Sequence, residues 1–419
     1  MSRSRLLATG LGLAVTIAVV GCANTGLPMP TPTPSPTYAV TGDGVLRIGT
    51  LFPTGGAFTF IAAAQVAGVE VAVREINEAG GVNGVPVEVF HRNSGDATTE
   101  TAEASYADLL TKGVDVVIGP SSSVLAERLV EPVIAAGVPL ISPAATLPNL
   151  TGLADEGLVF RTIGSYGAQG AVITDALVEA KATKVAYVYL DDTPGAALLD
   201  SLTAATEEVG LTLAYSGSFA AKTTDFASIV AKVKKANPDA VVISSAADSV
   251  DSTKALITAL TAAQLGGTKL WLTSQTVADY SQALPAGTLD KVNAVLEGAQ
   301  PDDAFIARLK QADPSVNAYR YAEEAYDATI LAALAATVAG DDGGPAVARL
   351  LPVVSTDGIK CTSFGECIDV LRTEPDVDYD GVSGPVNLTP EGDVSSASWG
   401  IHVYGAGNTV TLVRTVLAG

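Results

Sequence analysis

The stretch GVDVVIGPSSSVLAERLVEPVIAAGVPLISPAATLPNLT, residues 113–151, decides the fold. The apolar run VDVVI (114–118) sits between Gly113 and Gly119-Pro120, as befits a short strand buried on both faces. Ser121, Ser122 and Ser123 lead into one helical pattern carrying Leu125, Leu129, Val130, Val133 and Ile134, and Gly137 stops it. VPLIS (138–142) is the next strand. Strand, helix and strand in so short a span is the repeating unit of a parallel sheet covered by helices. The same order recurs where PDAVVISSAAD (238–248) is followed by a helical stretch and then GGTKLWLTS (266–274).

Working outward, VLRIGTL (45–51) is a strand, followed by a turn with Pro53, Gly55 and Gly56. Val66, Val69, Val73 and Ile76 then recur at helical spacing. VPVEVF (85–90) reads as a strand and residues 101–112 as a helix. In the second half KVAYVYL (184–190) and AVVIS (240–244) are strands, with helices over 196–208 and around Ile229 and Val233. A long helix over 322–338 and the strands WGIHVYG (399–405) and NTVTLVR (408–414) complete the pattern. We expect an α/β protein of two doubly wound parallel-sheet lobes. The first lobe should use 45–163 and 299–382, and the second 164–298 and 383–419, with the folded part beginning near Val45. Ligands in such sheets sit beyond the carboxyl ends of the strands.

Of 419 residues, 48% are hydrophobic and 16% charged, which fits a packed globular chain and excludes general disorder. The formal charge of −21 and the lack of a basic cluster argue against nucleic-acid binding. Arg3 and Arg5 precede an apolar run from Leu6 to Val20, too short for a comfortable membrane span but suited to a signal peptide over 1–21. The run ends in Val19-Val20-Gly21-Cys22, similar to a bacterial lipobox whose cysteine is lipidated. The Thr/Pro-rich tether over 22–44 holds PMPTPTPSPT, which favours an extended spacer.

Enzyme chemistry is thin. His91 and His402 are not spaced as paired metal ligands, no lysine follows a glycine as in a phosphate-binding loop, and G-x-S-x-G is absent. Both histidines read as strand residues, and the acid pairs Asp191-Asp192 and Asp341-Asp342 as solvated loop acids. No metal or cofactor is expected. Cys361 and Cys367, close together in an exported chain, read as a local disulfide, with a metal pair or free thiols as the alternatives.

INEAGGVNGVPVEV (76–89) and, more specifically, residues 116–151 resemble the class I periplasmic binding proteins of the leucine/isoleucine/valine-binding type. FRTIGSYGAQG (160–170) and YDGVSGP (379–385) resemble two of the family's crossovers between lobes, and CTSFGEC (361–367) also looks like members of this group. The resemblance runs from about Val45 to the C-terminus. It implies the periplasmic binding protein-like I fold, with a three-stranded hinge near 161–166, 296–300 and 381–386. It places the ligand carboxylate on Ser123, with Ser122 beside it. The ligand's ammonium and carboxylate together meet the Ala144 carbonyl and Thr146. Independently, a hydroxyl and free N–H groups at a helix start attract anions. The other reading is that Ser123 and Thr146 are caps.

The second lobe departs from the family. The acid that holds the ammonium is absent at Thr273-Ser274-Gln275, and Pro194 and Ala246-Ala247 stand where the family has aromatics. Asp192 and Asp248 are candidate substitutes, and otherwise the ligand is not a standard α-amino acid. Phe58 and Phe60 match a loop whose aromatic covers the ligand, although core packing explains them equally well. Tyr166 could line the hinge side. These residues imply an extracytoplasmic lipoprotein of an ABC importer, anchored to the cell membrane through Cys22. It would act as a monomer with permease subunits as partners, binding a small amino acid, branched-chain in the family, or a related carboxylate or amide. A ligand sensor for a signalling partner and an envelope hydrolase are the competing functions.

Overall fold

The computed structural model describes residues 41–55, 59–246 and 249–419. Cys22, Phe58, Ala247 and Asp248 therefore lie outside the described residues. In chain order the elements are β1 (Arg47–Phe52), α1 (Thr59–Glu78), β2 (Glu88–Asn93), α2 (Thr101–Thr111), β3 (Val116–Ile118), α3 (Ser123–Arg128), α4 (Val130–Ala136), β4 (Leu140–Ser142) and β5 (Val159–Arg161). Next come α5 (Tyr166–Glu179), β6 (Lys184–Leu190), α6 (Thr193–Val209), β7 (Thr212–Phe219), α7 (Ala227–Ala236), β8 (Ala240–Ser244), α8 (Val250–Ala262), β9 (Leu270–Leu272) and β10 (Asn293–Glu297). The rest comprises α9 (Asp303–Ala312), α10 (Ala322–Ala339), α11 (Gly344–Leu350), β11 (Ile359–Cys361), α12 (Phe364–Leu371), β12 (Val377–Gly381), β13 (Gly384–Pro385), β14 (Ala397–Tyr404) and β15 (Val410–Ala418).

The first sheet runs β2-β1-β3-β4-β5 and is parallel throughout. The second runs β7-β6-β8-β9-β10 in the same relative order and is also parallel, before β14 and β15 extend it antiparallel. The repeated order matches the doubly wound arrangement read from the sequence. The antiparallel extension adds to that arrangement, because alternating runs such as NTVTLVR do not specify strand direction. In each parallel set the order reverses beside the first strand, so the loops after β3 and β8 stand at switch points.

Local chemistry accounts for the elements. β6 is β-branched, aromatic and buried through most of its length, as a central parallel strand must be. Asp192 caps α6, accepting from Gly195 N at 2.8 Å, and Gly210 ends the helix with a left-handed φ of 74°. The single helix expected across 125–134 is instead two short ones, α3 and α4, which meet at Leu129.

After β10 the chain returns to the first core. Phe305 and Leu309 of α9, most of α10, and Leu388 and Val394 join the cluster built on the first sheet. Two further clusters cover the opposite faces of the second sheet. α10 is apolar on nearly every side because it is enclosed. Gly68 of α1 lets it approach closely, since a Cβ there would lie 2.2 Å from the Ala322 carbonyl oxygen.

Two expectations about acids change. Asp341 and Asp342 are buried, and their carboxylates accept from the backbone N–H groups of Thr41, Gly42, Asp43 and Gly44 at 2.8–3.2 Å. Folding thus begins before Val45, and these acids are clamps, not solvated loop residues. Cys361 and Cys367 form the expected disulfide. Among the described residues no helix is long and apolar enough to cross a membrane.

Candidate functional site

The loops at the carboxyl ends of both sheets converge on Tyr166, the first residue of α5. Its N–H donates to the Thr146 carbonyl at 2.8 Å. Burial, and then the charge of Glu297, push its hydroxyl up to about 12, while the side chains of Thr146 and Gln275 hydrogen-bond to it. Tyr166 therefore joins the loop after β4 to the loop after β9. The sequence placed Thr146, Tyr166 and Gln275 at one site, and the structure brings these three together.

Ser123 is buried and its hydroxyl accepts from Leu147 N at 3.1 Å, so it braces the loop that carries Ala144 and Thr146. Ser122, not Ser123, holds the cap position of α3, and its side chain makes no capping bond. α3 spans six residues, too short for a strong helix-end field, so the hydroxyls and loop amides remain as the polar groups here. Ser142 fixes the same loop, donating to Pro120 O at 2.6 Å and accepting from Ala145 N at 3.0 Å. Ala144 packs with Ile61, Ile163 and Tyr321 in a small buried cluster.

Glu297 and Arg320 were missed by the sequence reading. Glu297 ends β10 and is fully buried, and its Oε1 accepts from Arg320 Nη2 at 2.6 Å and from the Tyr321 hydroxyl. Burial alone would raise this carboxyl. The adjacent Arg320 guanidinium and the Ser274 and Tyr321 hydroxyls outweigh it and hold the group below its ordinary range, so it is ionised. Ser274 stands close enough to contribute, yet Glu297 Oε2 has no partner within hydrogen-bond distance. Tyr321 adopts a left-handed φ of 65°, a strained conformation for a bulky residue and one that concentrates at functional sites. An acid closing the apolar run VNAVLE was the available signal, because strand carboxyl ends face ligands.

The remaining expected residues are placed as follows. Asp192 caps α6. Ala246 is half-buried against the second core, just after Ser245, whose hydroxyl bonds Thr253. Phe60 is 55% exposed, which excludes the core-packing reading for it. His91 pairs with Glu70 on the surface of β2, and His402 is buried in β14.

All three passages between the sheets are fastened to the first turns of α10. Thr162 donates to the Glu324 carbonyl at 2.8 Å, Ala299 N to Glu324 Oε1 at 2.8 Å, and Val382 N and Ser383 N to Asp327 at 3.0 and 2.8 Å. Tyr379 adds its hydroxyl to Asp327.

Comparison with known proteins agrees with this architecture. Residues 45–394 match the Periplasmic binding protein family. The chain is 29% identical over 357 residues to the chemotactic signal transduction system substrate-binding protein BasB of Halobacterium salinarum, covering 82% of this chain and 83% of that one. It is 31% identical over 206 residues to the Leu/Ile/Val-binding protein homolog 3 of Brucella melitensis, covering 47% of this chain and 53% of that protein. Among solved structures, the branched-chain amino acid transporter substrate binding protein LivJ from Streptococcus pneumoniae, bound to isoleucine, superposes with a TM-score of 0.67 at 20% identity. That match covers 90% of this chain and 100% of the other. A solute binding protein of an R. palustris ABC transporter, bound to benzoate, gives 0.64 at 20% identity over 90% and 98%. These likenesses give the chain the class I periplasmic binding protein fold. The chain belongs to the periplasmic binding protein family, a family of solute-binding proteins and not of enzymes.

Proposed function

We propose that this chain is the extracytoplasmic, lipid-anchored solute receptor of an ABC importer, taking a small amino acid or related small carboxylate where its two larger sheets meet. The observation that carries this reading is the meeting of Thr146 and Gln275 on Tyr166, with Ser123 bracing the loop and a buried ionised Glu297 alongside. Hydroxyls and loop amides on one side suit a carboxylate, and closure of the second sheet's loops excludes water. Relatives bound to isoleucine and to benzoate support a small carboxylate as the common denominator. The basic start, apolar run and Cys22 support export and lipidation. A permease would read the closed, loaded form.

The relation to BasB favours a second reading, in which the same receptor reports its ligand to a signalling partner. Capture of partners from membranes separates the two: permease subunits support import, and a signalling receptor supports sensing. The binding claim is tested by a thermal-shift screen of the purified chain against the L-amino acids and aromatic and aliphatic carboxylates. Ligand at 100 times its dissociation constant should add about 2.7 kcal/mol. No shift with any member of either set would sink the reading.

A further inference from the structure

We infer that Glu297 receives the ammonium of an amino-acid ligand, taking the place of the acid that is missing at Gln275. This rests on the receptor reading above and narrows it to ligands carrying both charges. Glu297 occupies the carboxyl end of β10, and its side chain is fully buried. Its pairing with Arg320 uses Oε1 alone, and Oε2 is a buried acceptor with the Ser274 hydroxyl nearby but no partner at hydrogen-bond geometry. Tyr321 connects this carboxylate to the carboxylate-binding loop: its hydroxyl donates to Oε1, and it shares a small buried cluster with Ala144, Ile61 and Ile163. Tyr166 makes the second connection, hydrogen-bonding Thr146 while lying within the field of Glu297. An α-amino acid with its carboxylate at Thr146 carries its ammonium one carbon away, and Tyr166 is the residue that links Thr146 to the Glu297 charge.

Charge balance favours the same ligand. Arg320 and Glu297 together are neutral, so a zwitterion leaves the closed site neutral, whereas a simple carboxylate would add a buried negative charge beside Glu297. Among the described residues, the competing acids are committed elsewhere, and Asp248 lies outside those residues. Asp192 caps α6, and Glu324 accepts from Ala299 N. Burial raises the Glu324 carboxyl to about 8, which leaves it mostly neutral at pH 7.

The test uses the full purified chain and calorimetric titration. The probes are the L-amino acid that stabilises the chain most and the carboxylic acid of the same carbon skeleton without the ammonium. Glu297→Gln should weaken the amino acid roughly 10–100-fold, the range for losing one hydrogen bond to a charged group, and should leave the deaminated acid no weaker, because its carboxylate no longer lies beside the Glu297 charge. The double variant Glu297→Gln/Arg320→Gln removes the pair together, avoids leaving a partly buried guanidinium unpaired, and should show the same selective loss. Equal loss for both probes, or unchanged amino-acid affinity in both folded variants, overturns the assignment. A wild-type chain that binds the deaminated acid and no amino acid overturns it while keeping the receptor reading. A chain that binds neither class overturns both.

Discussion

Two carboxyls on α10 should make this protein lose stability as pH rises, opposite to the usual behaviour of paired acids. Glu323 and Glu324 lie in the first turn of the helix, where acids ordinarily gain about 0.3–1 kcal/mol from the helix dipole. Here burial dominates, with neighbouring acids adding to it, and the two carboxyls rise to about 9 and about 8. Unfolded glutamates titrate near 4.5. Both groups therefore hold protons in the folded state that the unfolded chain has released. Their contribution is complete below about pH 4.5 and is lost as pH climbs through 8 and 9. From these two extra protons alone, stability should fall by up to about 3 kcal/mol per pH unit between pH 6 and 7. The assay is the melting temperature from pH 5.5 to 9 in matched ionic strength. Glu324→Gln keeps an oxygen for Ala299 N and removes one titration, so it should match or trail the wild type at pH 5.5, exceed it at pH 8, and flatten the slope by roughly a third, because burial also raises Asp115 to about 7. A wild-type melting temperature that rises between pH 6 and 8, or a variant with the parental slope, would refute the reasoning.

Two further perturbations follow from the passages and the disulfide. Gly381→Ala would put a Cβ 2.3 Å from Asp327 Oδ2, and Asp327 cannot yield without loosening its bonds to Tyr379, Val382 and Ser383. A loss of about 2–4 kcal/mol in denaturant melts is expected, and a change under about 0.5 kcal/mol would contradict the packing. Reducing Cys361–Cys367, which closes a loop of sequence separation 6, should cost roughly 2 kcal/mol on the chain-entropy account and lower the melting temperature by a few degrees. An unchanged melt after verified reduction would show that the bridge contributes nothing to stability.

Much of the fold was legible because parallel strands advertise themselves. KVAYVYL and AVVIS are observed as strands over the residues expected, since strands buried on both faces are continuous β-branched runs between polar loops. The division of 125–134 into α3 and α4 was hidden because the apolar spacing continues across Leu129. The direction of β14 and β15 was hidden because alternation is the same for either pairing. At the site, the resemblance supplied Ser123, Ala144 and Thr146 and exposed the gap at Gln275. The pair Glu297–Arg320 was not legible, because its partners are 23 residues apart and meet only through the passage after β10. Asp341 and Asp342 were misread for a similar reason: their partners are the backbone N–H groups of 41–44, some 300 residues away. A sequence shows which residues can carry charge, but not which are buried beside one another.

The central claim is that a small carboxylate-bearing solute binds on the Ser123–Thr146 loop where the sheets meet. Its most direct test is calorimetric titration of the solute found by the thermal-shift screen into the wild-type chain and into Ser123→Ala/Thr146→Ala. The account predicts one site in the wild type and at least a 10-fold loss in the folded double variant, as expected for removing two hydroxyls that hold or position a carboxylate. Unchanged affinity in the double variant would place the ligand elsewhere and contradict the account.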